Sequence, residues 1–161
     1  MITGKLSQWL IEQIGHELTA HQDYLGIAVH FQRQSLFGWG KLFNQQAMEE
    51  AQHATRIMTF LTDNGVEFDL PPLPGASTHF ESALKAAETS LTWERSMTER
   101  FRAAARLALD EQDHTAHQFL QWFIEEQVEE EAKMQHAIDL LRSGINLFQA
   151  EPLLERIDSA G

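Results

Sequence analysis

Cysteine is absent from the 161-residue sequence, which excludes disulfide bonds, thiolate zinc sites, iron–sulfur clusters and cysteine nucleophiles. Any bound metal must therefore be held by oxygen and nitrogen ligands. The chain also lacks a basic segment followed by an apolar run at its start, and it contains no apolar run long enough to cross a membrane. We therefore expect a cytoplasmic protein without a membrane partner.

Positive charge is scarce as well, because 12 Lys and Arg residues stand against 24 Asp and Glu residues, for a net charge of −12. Binding to nucleic acid requires a basic face, so the composition argues against a nucleic-acid partner. Hydrophobic residues make up 43% of the chain, which is typical of a folded protein. The length suits one domain, predicted to span residues 1–161.

Glycine and proline divide the sequence into long segments with helical periodicity. The predicted breaks are Gly38-Trp39-Gly40, Gly65 and residues 71–75. The predicted caps are Thr78 with Glu81 before the third helix, Asp113 before the fourth, and Gly144 after it. The four long helices are predicted at about 5–35, 40–64, 79–110 and 114–143, with a short fifth helix at about 147–157. The sequence therefore predicts an all-α four-helix bundle with one long crossover between the second and third helices.

Polar residues interrupt the apolar seam near the middle of every long helix. They are Glu17 in the first helix, Glu50 and His53 in the second, Glu94 in the third, and Gln127 and Glu130 in the fourth. In a bundle of similar helices these side chains meet at one height. Four carboxylates in an apolar core would lose hydration and repel one another unless protons or cations neutralised them. The pattern therefore predicts a buried metal site.

Carboxylates with one imidazole suit Fe(II), Mn(II) or Zn(II). Glu50 and His53 lie three residues apart, the spacing of carboxylate-bridged dimetal bundles. We place Glu50 between two metals, with Glu17 and His53 on one, Glu94 and Glu130 on the other, and Gln127 beside them. A lone Glu-x-x-His is not specific, and a second one, Glu111 to His114, falls at a predicted turn. The prediction of a metal site rests on the polar residues that interrupt the apolar seams of all four helices at one height.

These residues resemble the ferroxidase centre of bacterial non-haem ferritins. The matching pieces are Glu17 followed by Tyr24, Glu49-Glu50-Ala51-Gln52-His53, Glu94, and residues 122–131. The resemblance implies that Glu17, Glu50, His53, Glu94 and Glu130 bind an iron pair, with Gln127 adjacent and Tyr24 hydrogen-bonded behind them. It also implies a third iron position at Glu49, Glu126 and Glu129, although these three residues would equally suit an ordinary acidic face.

The departures from related families are informative. A bacterioferritin would carry a second Glu-x-x-His on the fourth helix, where this chain has Gln127, and its haem-ligating Met would fall at Ala51, so no haem is expected. The short fifth helix resembles that of 24-subunit ferritins. The resemblance thus implies a ferroxidase that oxidises Fe(II) with O₂ or H₂O₂ and stores ferric mineral in a homo-oligomeric shell. The alternatives are a dimetal oxidase or peroxidase without storage, and a non-enzymatic helical metal-binding or interaction module.

Overall fold

The computed structural model describes residues 2–158, which form five α-helices. The helices are α1 (Gly4–Gln32), α2 (Phe37–Asp63), α3 (Ala83–Asp110), α4 (His114–Arg142) and α5 (Leu147–Asp158). α1 packs along α2 and α3 packs along α4, while α5 contacts the ends of α2 and α4. Within residues 2–158, no helix combines the length and the apolar character needed to cross a membrane. The predicted all-α bundle with a short fifth helix is confirmed.

Gly38 and Gly40 do not separate the first two helices, contrary to the prediction. α1 ends at Gln32, the chain turns through residues 33–36, and both glycines lie in the first turns of α2. They are needed for close packing, because a Cβ on Gly40 would lie 2.8 Å from Gln32 Cγ. A Cβ on Gly38 would likewise collide with Glu151, whose carboxylate accepts the Gly38 backbone N–H. α5 thus supplies the cap that Leu36, at the start of α2, does not.

The start of α3 also differs from the prediction. Ser82, rather than Thr78, is the N-cap, and its hydroxyl accepts a hydrogen bond from Lys85 N at 3.0 Å. The Thr78 hydroxyl instead accepts a hydrogen bond from Arg33 Nη1 at 3.0 Å, which ties the crossover to the end of α1. The predicted caps of α4 are in place: Asp113 accepts from Ala116 N at 2.9 Å, and Gly144 follows the helix with a φ of +77°.

The crossover, residues 64–82, is fitted closely against α1. A Cβ on Gly26 would lie 2.1 Å from the backbone oxygen of Ser77, so only glycine permits this approach. The crossover thereby connects α2 to α3 and completes the four-helix arrangement.

Two apolar clusters occupy the two ends of the bundle. One is built around Tyr24, Phe31, Trp39 and Phe43, and the other includes Leu10, Ile57, Phe101 and Phe123. The buried polar residues are Gln13, Glu17, Gln46, Glu50, His53, Ser90, Glu94, Thr98, Gln127, Glu130 and Lys133. Most of the carboxylates among them come from the middle of the long helices, so the core contains a charged layer between two apolar ends.

Candidate metal centre

All six polar residues predicted from the helix seams reach the core. Glu17, Glu50, His53, Glu94, Gln127 and Glu130 are each at most 3% exposed. Three sets of ligand atoms lie within 4.8 Å of one another: Glu17 with Glu50 and His53, Glu50 with Glu94 and Glu130, and His53 with Glu126 and Glu130. Glu50, His53 and Glu130 each belong to two sets, and Glu50 is shared by the two sets that are wholly buried, as expected of a carboxylate between two metals.

Several buried ligand atoms have no hydrogen-bond partner. These are Glu17 Oε2, His53 Nδ1 and Glu130 Oε1. His53 Nδ1 lies 3.6 Å from Glu17 Oε2 and 3.5 Å from Glu50 Oε2, at or beyond the limit for a hydrogen bond. Buried polar atoms are nearly always paired, so these atoms fit a cation as their common partner. The residues therefore pass the test of compatibility with metal ions.

The pKa values of the residues in the buried layer also favour a site for cations. Burial raises the pKa of Glu50 to about 7, and burial together with the charge of Glu50 raises the pKa of Glu94 to about 8. Burial and the neighbouring carboxylates raise the pKa of Glu130 well above its usual range. Burial lowers the pKa of His53, but the carboxylates of Glu17 and Glu50 outweigh it and raise that pKa to about 11. Without metal, the site thus retains protons at neutral pH.

Glu94 is held from two sides by predicted neighbours. The Tyr24 hydroxyl donates to Glu94 Oε1 at 2.5 Å. Gln127 Nε2 donates to Glu94 Oε2 at 3.1 Å and to the Glu94 backbone oxygen at 3.0 Å. Tyr24 is fully buried and packs edge-on against Trp93. The hydroxyl and the amide therefore fix the orientation of this carboxylate.

Two further glutamines contact the carboxylates, and the sequence prediction assigned neither a role. Gln13 Nε2 donates to Glu17 Oε1 at 2.9 Å, and Gln13 Oε1 accepts from Arg100 Nε at 2.7 Å. Gln46 Nε2 donates to Glu50 Oε1 at 3.3 Å and also to Glu130 Oε2. Each glutamine precedes its glutamate by four residues, or about one helical turn. That repeated spacing is the signal that could have identified them.

The residues predicted for a third metal position lie in a cleft of about 400 Å³ between α2 and α4, which is also lined by His53 of the centre. Glu126 Oε2 lies 3.9 Å from His53 Nε2, and Glu129 is exposed at the rim. Glu49 does not face an open ligand position, because both of its carboxylate oxygens accept hydrogen bonds from Lys133 Nζ. The sequence prediction did not anticipate this lysine.

With this geometry established, comparison with known proteins identifies the family. Residues 8–143 match the Ferritin-like domain family. The chain belongs to the ferritin family. This ferritin is 39% identical over 150 residues to ferritin BfrB of Mycolicibacterium smegmatis, covering 92% of this chain and 83% of that protein. It is 32% identical over 141 residues to the bacterial non-heme ferritin of Staphylococcus aureus, covering 88% and 85% respectively.

The fold agrees with the same family. An open pore ferritin from Archaeoglobus fulgidus matches this ferritin with a TM-score of 0.89 at 29% identity, over 99% of this chain and 97% of that one. A humanized archaeal ferritin matches with a TM-score of 0.91, again at 29% identity, over 96% and 97%. The predicted resemblance to ferritins is therefore confirmed both in sequence and in fold.

Proposed function

We propose that this ferritin stores iron and that its buried layer is a two-metal centre at which Fe(II) is oxidised. Membership of the ferritin family supports iron storage. The observation that carries the oxidation step is the convergence of four helices on one carboxylate and imidazole cluster with unpartnered buried ligand atoms. An apolar core gains nothing from such a cluster unless cations enter it.

Two adjacent metal positions account for the two ligand sets that share Glu50. Glu17 and His53 hold one ion, Glu94 and Glu130 hold the other, and Glu50 lies between them. Gln127 and Tyr24 orient Glu94. Two Fe(II) ions held there supply two electrons, which reduce O₂ to H₂O₂ or H₂O₂ to water, with two protons consumed in either case.

The chain's own groups govern proton movement at the centre. Glu50 and Glu94 have raised pKa values of about 7 and about 8, so metal binding at neutral pH displaces protons from them. The ionised carboxylates then favour Fe(III) over Fe(II), because the more highly charged ion gains more from them.

Storage requires assembly of several copies of the chain. Family resemblance and the short fifth helix support a shell of 24 subunits, working in the cytoplasm with O₂ or H₂O₂ as oxidant. Ala51, at the position of the haem-ligating Met of bacterioferritins, supports a shell without haem. The chain acts as one domain in this assembly.

The test is oxidation of Fe(II) by the full-length, metal-free protein. Two Fe(II) per chain are added without oxygen, air is admitted, and ferric absorbance in the near ultraviolet is followed. We expect rapid oxidation by the wild type and a rate no faster than buffer for Glu50→Ala and His53→Ala. Glu125→Ala and His136→Ala are the matched controls, because both side chains are exposed on α4, and they should retain the wild-type rate.

The outcomes separate the candidate functions. Oxidation of Fe(II) by the wild type at a rate no faster than in buffer would contradict the proposed ferroxidase activity. Fast oxidation without retention of ferric iron beyond two ions per chain would favour a dimetal oxidase or peroxidase without storage. Binding of Zn(II) without Fe(II) oxidation would favour a non-enzymatic metal-binding protein.

Gln13 is expected to tune the metal affinity of Glu17 without touching the metal. Its amide is fixed by Arg100 and holds Glu17 Oε1, so that Oε2 remains directed at the centre. Groups behind a ligand typically contribute about 10–100-fold to metal affinity, so Gln13→Ala should weaken Zn(II) binding by about tenfold in a calorimetric titration. Gln8→Ala is the control, because Gln8 contacts Glu12 with the same four-residue spacing on the exposed face. Equal affinities in both variants would contradict this role.

A further inference from the structure

Lys133 is an unusual member of the buried polar layer. It lies on α4, is only 6% exposed, and its Nζ lies 3.1 Å and 2.8 Å from the two carboxylate oxygens of Glu49 on α2. A buried lysine is rarely found without a counter-charge. Glu49 supplies that counter-charge, because the Lys133 ammonium contacts both of its carboxylate oxygens.

The ammonium lies among the carboxylates that would surround a third metal. Glu49, Glu126, Glu129 and Lys133 line the same cleft. Of these three carboxylates, Glu49 binds the Lys133 ammonium through both of its oxygens. Lys133 thus supplies positive charge to the same group that a metal ion would stabilise.

The cleft does not bring Glu49, Glu126 and Glu129 together around one ion, and Glu126 instead forms a ligand set with His53 and Glu130 of the centre. Within residues 2–158, the sets of three ligand atoms close enough to share an ion include Glu126 once but never Glu49 or Glu129. An ion held by Glu49, Glu126 and Glu129 would have to take Glu49 away from Lys133, which would leave a buried ammonium without that partner and beside a divalent cation. Both changes are unfavourable.

We propose that the Lys133 ammonium takes the place of a third metal ion beside the two-metal centre, so that this chain binds two metal ions where a three-ion site would otherwise form. This inference rests on the proposed two-metal function. Lys133 acts as a built-in cation that neutralises Glu49 and limits the centre to two ions.

The test counts and locates Zn(II), which is redox-silent, in the full-length protein. Calorimetric titration gives the stoichiometry, and anomalous diffraction from crystals grown with Zn(II) shows whether an ion lies between Glu49, Glu126 and Glu129. For the wild type we expect two ions per chain at the centre and none in the cleft. Lys133→Met removes the ammonium while keeping a side chain of similar length, and it should gain a third ion with at least about tenfold higher cleft affinity than the wild type.

Three variants make the result specific. Lys133→Gln, which keeps a hydrogen-bond donor for Glu49, should gain the same ion and serves if the Met variant does not fold. The double variant Lys133→Met with Glu49→Gln should not bind the third ion, because it lacks the Glu49 carboxylate that removal of the ammonium would make available. Lys85→Met is the charge-matched control, since Lys85 is exposed near the start of α3, and it should keep two ions.

The outcomes also separate this inference from the proposed function. A wild type with a third ion in the cleft, or Lys133 variants that still hold only two, would overturn the role of Lys133 and leave the two-metal centre intact. A wild type that binds no ion at Glu50 and His53 would overturn the proposed function itself.

Discussion

The metal-free protein is expected to lose stability as the pH rises from about 5 to about 8. Burial raises the pKa of Glu50 to about 7 and that of Glu94 to about 8, from ordinary values of 4.5. The folded chain therefore holds protons that the unfolded chain releases above pH 4.5. Their contribution to stability is fully present below that pH and is lost as the pH rises through the folded values.

His53 acts in the same direction at higher pH. Its pKa is raised from 6.5 to about 11 by Glu17 and Glu50, against the opposing effect of burial. The resulting stabilisation is complete below pH 6.5 and is lost as the pH rises toward 11. Carboxylates and imidazole together therefore predict a steady decline in the stability of the metal-free chain across the neutral range.

The expected size of the effect is large for a pH change of this kind. A difference of one unit between the pKa of a group in the folded chain and its pKa in the unfolded chain corresponds to about 1.4 kcal/mol of stability. Even after partial relaxation of the site, the loss of these protons from Glu50 and Glu94 should lower the free energy of unfolding by about 2 kcal/mol or more between pH 5 and pH 8. For a chain of this length that lowers the unfolding temperature by about 4–8 °C. Scanning calorimetry of the metal-free protein at a series of pH values measures this directly.

Bound metal should reverse the trend. Zn(II) holds the carboxylates in their ionised form, so the metal-loaded protein should gain stability over the same range as proton competition falls. The double variant Glu50→Gln with Glu94→Gln should show a flatter profile than the wild type without metal. A metal-free wild type whose stability is constant or rises between pH 5 and pH 8 would contradict the assignment of trapped protons to the site.

The sequence was sufficient for the bundle and for the buried polar layer because both depend on periodicity. Glu17, Glu50 and Glu94 fall on apolar seams, and a charged residue on such a seam can only point inward once the helix packs. The seams also predicted that the polar groups would share one height. These features are local in sequence and survive errors of a few residues in helix boundaries.

The remaining features depend on contacts between distant parts of the chain. Gly40 is required by the approach of Gln32, and the start of α2 is capped by Glu151 from α5. Neither contact has a local signal, so both glycines suggested a break where a helix in fact begins. The burial of Lys133 was hidden for the same reason, because a lysine at the end of an acidic run ordinarily projects into solvent, and its contact with Glu49 on another helix has no local signal.

Glu130→Gln is expected to stabilise the metal-free protein at pH 8 while weakening its response to metal. Glu130 is fully buried, its Oε1 has no hydrogen-bond partner, and burial with the nearby carboxylates of Glu94 and Glu50 raises its pKa well above the usual range. At pH 8 the unfolded chain ionises this group, whereas the folded chain resists doing so. A neutral amide of the same size avoids that difference.

The gain in the free energy of unfolding should be about 1–3 kcal/mol at pH 8, in the range found when buried charges are replaced by neutral groups. It should be smaller at pH 5, because that pH lies only slightly above the ordinary pKa of 4.5 and little of the stability difference has accumulated there. Calorimetry at both pH values with and without Zn(II) gives four unfolding temperatures for each variant. Glu125→Gln is the control, because Glu125 is exposed on the same helix, and it should leave all four unchanged.

The sign of the two effects distinguishes a metal ligand from a structural residue. A carboxylate that stabilised the bundle directly would make Glu130→Gln less stable at both pH values, through lost contacts with Gln46. A carboxylate present for the metal makes the variant more stable when metal is absent and less responsive when Zn(II) is added, because one of the two metal positions has lost an anionic ligand. The buried layer would then be a feature that weakens the metal-free fold and is stabilised only by the ions it binds.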